Sequence, residues 1–130
     1  MTTVQVTAEN FESLIDKSEI LVIDFWAEWC GPCKSFGPIF ESASEKHPDV
    51  VFGTVDTQQE QALAQSFGVR SIPMVAVFRR QVLLYAEAGA LPLAALEELI
   101  AEAKALDIDK VKADIDADLK AEKAASKAPG

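Results

Sequence analysis

The stretch Ile20–Lys34, ILVIDFWAEWCGPCK, decides how this chain folds. Its first half, Ile20 to Trp26, is a β-branched and aromatic run that reads as a strand buried on both faces, as in a parallel sheet. Its second half opens a helix. Gly31 lets the chain turn tightly, and Pro32 occupies an early helical position where its missing N–H costs nothing. The apolar positions Phe36, Ile39, Phe40 and Ala43 then recur at helical spacing to about Lys46, with Pro38 expected to kink the helix. Helix-forming and strand-forming stretches alternate through the rest of the chain, which predicts an α/β arrangement.

Working outward, Gln5-Val6 is a short strand candidate, and Thr7 is placed to cap a helix carrying Phe11, Leu14 and Ile15 that stops near Ser18. Downstream, His47-Pro48 ends the long helix and Val50 to Val55 is strand-like. Thr57 with Glu60 reads as a capping box for a helix containing Ala62, Leu63 and Phe67, stopped by Gly68. Ser71-Ile72-Pro73 is a turn. Val75–Phe78 and Val82–Tyr85 follow as strands joined through Arg79-Arg80-Gln81, a hairpin without the usual Gly or Asn. Pro92 suits the first turn of a last core helix using Leu93, Leu96, Leu99, Ile100 and Ala103. Beyond Leu106 the composition shifts to Asp, Lys and Ala with a narrow stripe of Ile108, Val111, Ile115 and Leu119. The expected organisation is one domain over residues 1–106 and a charged helical extension over 107–130, ending in a disordered stretch from Ala124 to Gly130.

A chain of 130 residues that is 49% hydrophobic has material for one core. A net charge of −9 argues against a nucleic-acid partner, which would need clustered Lys and Arg. Met1 to Ile20 contains acidic residues and no uninterrupted apolar run, and no segment approaches the roughly 20 apolar residues of a membrane span. A cytoplasmic monomer without a membrane partner is the expectation. In a reducing compartment, two cysteines separated by two residues point to catalysis or metal binding rather than to a structural staple.

The position of Cys30-Gly31-Pro32-Cys33, after a buried strand and at the start of a helix, favours catalysis. The thiolate is the reactive form of cysteine, and a helix N-terminus stabilises it with unpaired N–H groups and partial positive charge. Cys30 is therefore the candidate nucleophile, and Cys33, one turn later, the thiol that resolves the mixed disulfide. Two cysteines serving only as small core residues would leave the intervening Gly-Pro unexplained. A structural zinc site needs four ligands, and one chain offers two cysteines and a lone His47, so no metal is expected. Asp24, in the middle of the apolar strand, has two readings. Buried, it would have a raised pKa and could exchange protons near neutrality; at a polar crevice, it would merely hydrogen-bond backbone. Trp29 is either packing or a functional surface beside the nucleophile, and the Ile72–Pro73 bond is open to either isomer.

These residues give the chain a resemblance to the thioredoxin family, covering Met1 to about Ala105. It is carried by Asp24-Phe25-Trp26-Ala27-Glu28-Trp29-Cys30-Gly31-Pro32-Cys33-Lys34, by Pro38, by Val55-Asp56, by Phe67-Gly68-Val69-Arg70-Ser71-Ile72-Pro73, and by Gly89-Ala90. The resemblance implies a thioredoxin fold, a central mixed five-stranded sheet flanked by helices, here with a C-terminal helical extension. It implies reduction of disulfide-containing protein substrates, with no cofactor beyond the Cys30–Cys33 disulfide, and electrons from NADPH through thioredoxin reductase. By the same analogy Cys30 is the exposed nucleophile, Cys33 the buried resolving thiol and Asp24 its acid–base partner. Pro73 would be cis beside the disulfide, the Ile72 backbone would pair with substrate, and Trp29, Gly31, Pro32, Ile72, Pro73, Gly89 and Ala90 would form the docking surface. The chain departs from the family in carrying Phe52 where a Lys often lies near the buried Asp, Met74 where a Thr is common, a hairpin without Asn-Gly, and the tail. Those departures admit a partner-specific thioredoxin-like protein or a redox-independent binding subunit as alternatives to a general reductase.

Overall fold

The computed structural model describes residues 2–127, with side chains to 121. Along the chain lie β1 (Thr3–Gln5), α1 (Phe11–Lys17), β2 (Ile20–Trp26), α2 (Gly31–Lys46), β3 (Val51–Asp56), α3 (Gln61–Ser66), β4 (Met74–Arg79), β5 (Val82–Ala88), α4 (Leu93–Ala105) and α5 (Ile108–Lys127). One sheet has the order β1-β3-β2-β4-β5, with β1, β3 and β2 parallel and β4 and β5 antiparallel. The run that decided the sequence reading is thus the central strand. Its alternating side chains feed two cores. Leu21, Ile23 and Phe25 pack with Val6, Val55, Ala76 and Phe78, while Ile20 and Val22 pack with Phe36, Phe40, Phe52, Leu96 and Ile100. Burying each such side chain stabilises the fold by about 1.5–3 kcal/mol. Phe36 and Phe40 therefore offset the roughly 3 kcal/mol that Pro38 costs inside α2, and the helix runs through it.

By strand alternation Asp24 falls on the same face as Val22, level with Thr54 on β3 and Val75 on β4. Phe52 lies opposite Val22 on that face, with its ring centroid 5.2 Å from that of Phe40. Among the described residues no ion pair reaches Asp24.

Several local expectations are corrected by competition for hydrogen bonds. The first strand is Thr3–Gln5, and Val6 continues its pairing only by donating its N–H to the Thr54 carbonyl at 2.8 Å. Thr7 caps the turn that leads into α1, as expected: its Oγ1 accepts the Asn10 N–H at 3.3 Å, its N–H donates to Asn10 Oδ1 at 2.8 Å, and its carbonyl accepts the Phe11 N–H at 3.0 Å. The Thr57–Glu60 capping box is absent. Thr57 Oγ1 instead donates to the Trp26 carbonyl at 3.0 Å, and Glu60 Oε1 accepts from Ala8 N–H at 2.9 Å. Gly68 ends α3 as expected, at φ +67°.

The β4–β5 turn places Arg80 and Gln81 at φ 44° and 71°, the left-handed pair for which Asn-Gly is usual. Tertiary contacts hold it. Arg80 Nε pairs with Glu19 Oε1 at 3.1 Å and its Nη1 with Asp109 at 3.0 Å, and the Arg80 hydrogen bond holds Glu19 below the usual carboxylate range. The Arg79 guanidinium donates to the carbonyls of Ala103 at 2.8 Å, Lys104 at 3.1 Å and Leu106, which the end of α4 would otherwise leave unpaired. α5 is thereby attached at its first turn, where Ile108 is buried while Ile115 and Leu119 are exposed. Helical backbone continues to Lys127, into the stretch expected to be disordered; residues 128–130 lie outside the described residues.

Candidate active site

Cys30 sits where β2 and its following loop hand over to α2. It is the N-cap of that helix, in extended conformation at φ −88° and ψ 110°, and its Sγ accepts the Cys33 backbone N–H at 3.2 Å. The first turn of α2 holds no acidic residue to oppose the helix-terminal field at that sulfur. Cys30 and Cys33 form a disulfide with Cα atoms 5.3 Å apart. Gly31 and Pro32 are exposed between them in the first turn of α2.

One distant segment reaches the pair, and a second is tied to that segment. The Ile72 carbonyl oxygen lies 3.7 Å from Cys30 Sγ, immediately before a cis Ile72–Pro73 bond. The Pro73 carbonyl accepts the Gly89 N–H at 2.7 Å, and Gly89 holds φ 128°, a conformation that favours glycine. Ala90 follows it, exposed. Trp29 is 68% exposed and borders, with Ile72, Gln61, Gln65 and Arg70, a groove of about 250 Å³. Such exposure places the Trp29 ring outside the core.

Behind the disulfide lies a larger cavity of about 420 Å³, lined in part by Cys33, Asp24, Trp26, Phe40 and Thr54. Asp24 is 3% exposed and its Oδ1 has no hydrogen-bond partner, the opposite of a carboxylate satisfied by backbone at a polar crevice. Burial pushes its pKa up to about 7.

The arrangement matches a known family over most of its length. The thioredoxin family model matches residues 2–103. The chain belongs to the thioredoxin family. It is 53% identical over 110 residues to "Putative thioredoxin 2" of Streptomyces coelicolor, covering 85% of this chain and 82% of that one, and 34% identical over 103 residues to thioredoxin-1 of Saccharomyces cerevisiae, covering 79% and 100%. Among solved structures, a mutant thioredoxin of Halobacterium salinarum superposes with a TM-score of 0.75 at 28% identity, over 80% of this chain and 92% of that one. The oxidised mitochondrial thioredoxin 3 of Saccharomyces cerevisiae gives 0.71 at 32% identity, over 77% and 94%. The thioredoxin fold, with its mixed five-stranded sheet, is therefore as the sequence resemblance implied, and the Cys30–Cys33 pair is the family's dithiol–disulfide exchange couple.

Within this thioredoxin-family site one expectation needs correction. Cys30 is not the exposed member of the pair: the two cysteines are 4% and 5% exposed in the disulfide, because Ala27, Trp26 and Ile72 pack against them. What separates them is surroundings, with Cys30 on the Ile72 side and Cys33 on the Asp24 cavity. Sequence reasoning missed Thr57, whose N–H and Oγ1 both donate to the Trp26 carbonyl and fasten the end of β2 below the disulfide loop. It also missed Thr54, which reaches the cavity wall only through strand register. Neither residue carries a local signal for these roles. No helix of the described residues is long and apolar enough to cross a membrane.

Proposed function

We propose that this protein is a general protein-disulfide reductase of the cytoplasm, contributing to electron transport and cell redox homeostasis, kept reduced by thioredoxin reductase with electrons from NADPH. The observation that carries this reading is the Cys33 N–H donated to Cys30 Sγ at the N-terminus of α2. The same contact stabilises negative charge on the first sulfur once the disulfide is opened.

The cycle balances with two thiols and no other reactant. The Cys30 thiolate attacks one sulfur of a target disulfide, forming a Cys30–target bond and releasing a target thiolate. The Cys33 thiolate then attacks Cys30 Sγ, closing the Cys30–Cys33 disulfide and releasing the second target thiolate. Asp24, protonated or ionised with comparable ease near neutrality, exchanges the Cys33 proton through their shared cavity. The target segment docks in extended form on the Ile72 backbone, against Trp29, Gly31, Pro32, Pro73, Gly89 and Ala90.

The test is reconstitution. With NADPH and a bacterial thioredoxin reductase, catalytic amounts of the protein should be reduced and should in turn reduce insulin, followed by NADPH absorbance and by insulin turbidity. Failure of both steps would replace the general reductase with a partner-specific relative.

A further inference from the structure

The cavity behind the disulfide holds a polar group that disulfide exchange at rest leaves without a partner. Its volume of about 420 Å³ is within the range of small-molecule sites. Trp26, Pro38 and Phe40 supply apolar walls, and Asp24, only 3% exposed and with an Oδ1 that has no hydrogen-bond partner, contributes to the lining. The remaining charged residues lining it are Glu28 and Glu41 against one cation, Lys34. A buried carboxyl without a donor is costly, and one with apolar walls and a predominantly acidic lining favours a cation over an anion or a neutral polar molecule. We propose that this cavity binds a small organic cation, a primary ammonium carried on an apolar chain, with the ammonium on Asp24 and the chain against Trp26, Pro38 and Phe40.

This site goes beyond the reductase reading and is tested on the resting, oxidised chain, so its failure leaves that reading untouched. Gly37 provides an independent probe, because it lines the cavity and a Cβ built there meets nothing within 4 Å. Gly37→Leu should therefore fill the space while retaining Asp24.

The experiment titrates the isotope-labelled oxidised protein with n-hexylamine, and in parallel with n-hexanol, following amide shifts by NMR. Saturable binding below about 10 mM, centred on Asp24, Cys33, Gly37 and Thr54, is expected for the amine. Affinity should fall about tenfold or more for n-hexanol, and likewise for the amine on Asp24→Asn, because each loses the charged hydrogen bond. Gly37→Leu should abolish the shifts. Equal affinity for amine and alcohol, unchanged binding by Asp24→Asn, or absence of saturation would each overturn the proposal, and the first two arms decide it even where the Gly37 variant misfolds.

Discussion

The Cys33 backbone N–H points at Cys30 Sγ from 3.2 Å, so the helix stabilises its own first sulfur and leaves the second to the cavity that holds Asp24. Exposure does not distinguish the two cysteines, which are equally covered in the disulfide. Electrostatics does, since an N-cap sulfur meets the unpaired amides of α2 and a sulfur inside the first turn lies beyond them.

Cys33→Ser should accordingly accumulate a covalent mixed disulfide with a disulfide-containing protein, and Cys30→Ser should capture almost none. Non-reducing gels of each variant after incubation with insulin read this directly. Equal trapping by both variants would reverse the assignment of attacker and resolver.

Asp24→Asn should change stability in a pH-dependent way. Burial raises the Asp24 pKa from 3.8 to about 7 on folding. The protonated form is thus favoured in the folded chain, and the stability this contributes is complete below about pH 4 and lost as pH rises through about 7. A shift of about three units corresponds to about 4 kcal/mol, gained by the variant relative to the parent between pH 4 and 8 in denaturant titrations. The same variant should resolve mixed disulfides about tenfold or more slowly. A stability difference that does not vary with pH would show that Asp24 titrates as an exposed carboxyl.

Removal of residues 107–130 should cost stability without removing activity. Ile108 is buried and Asp109 pairs with Arg80, so this truncation should lose about 1.5–3 kcal/mol. Removal of 113–130 should lose less than about 0.5 kcal/mol, since every described side chain that goes, from 113 to 121, is exposed. Among the described residues none of the extension lines the disulfide cavity or the Trp29 groove, and insulin turnover should fall less than tenfold, about 1.4 kcal/mol in the barrier, in either case. Matched stability of the two truncations would mean that the first turn of α5 does not anchor it.

Gln81→Gly should stabilise the fold by about 0.5–1 kcal/mol, because φ 71° strains any side chain but suits glycine. Arg80→Gly should not, since it relieves one φ of 44° but breaks the pairs to Glu19 and Asp109. Thermal and denaturant unfolding of both variants separates turn strain from ion pairing, and a destabilised Gln81→Gly would refute the strain account.

Much of this molecule is legible along the chain. Ile20–Trp26 declares a doubly covered strand because no polar side chain but Asp24 interrupts it, and Phe36, Phe40 and Ala43 declare the inward face of α2 because burial repeats with the helical turn. Cys30 and Cys33 announce their chemistry by spacing together with position, since one helical turn brings two sulfurs within bonding reach and the start of a helix after a buried strand favours the thiolate. These are short-range properties, set by backbone sterics and the alternation of side chains within a single element. Tertiary structure decided what depends on competition between distant groups. Thr57 takes the Trp26 carbonyl instead of capping α3, Arg79 takes the end of α4, Ile72 closes on Cys30, 42 residues upstream, and Gly89 is tied to Pro73 beside it. Hydrogen-bonding groups go to whichever partner the assembled sheet brings within reach, and the burial of Asp24 behind Cys33 follows from strand register that no local pattern encodes.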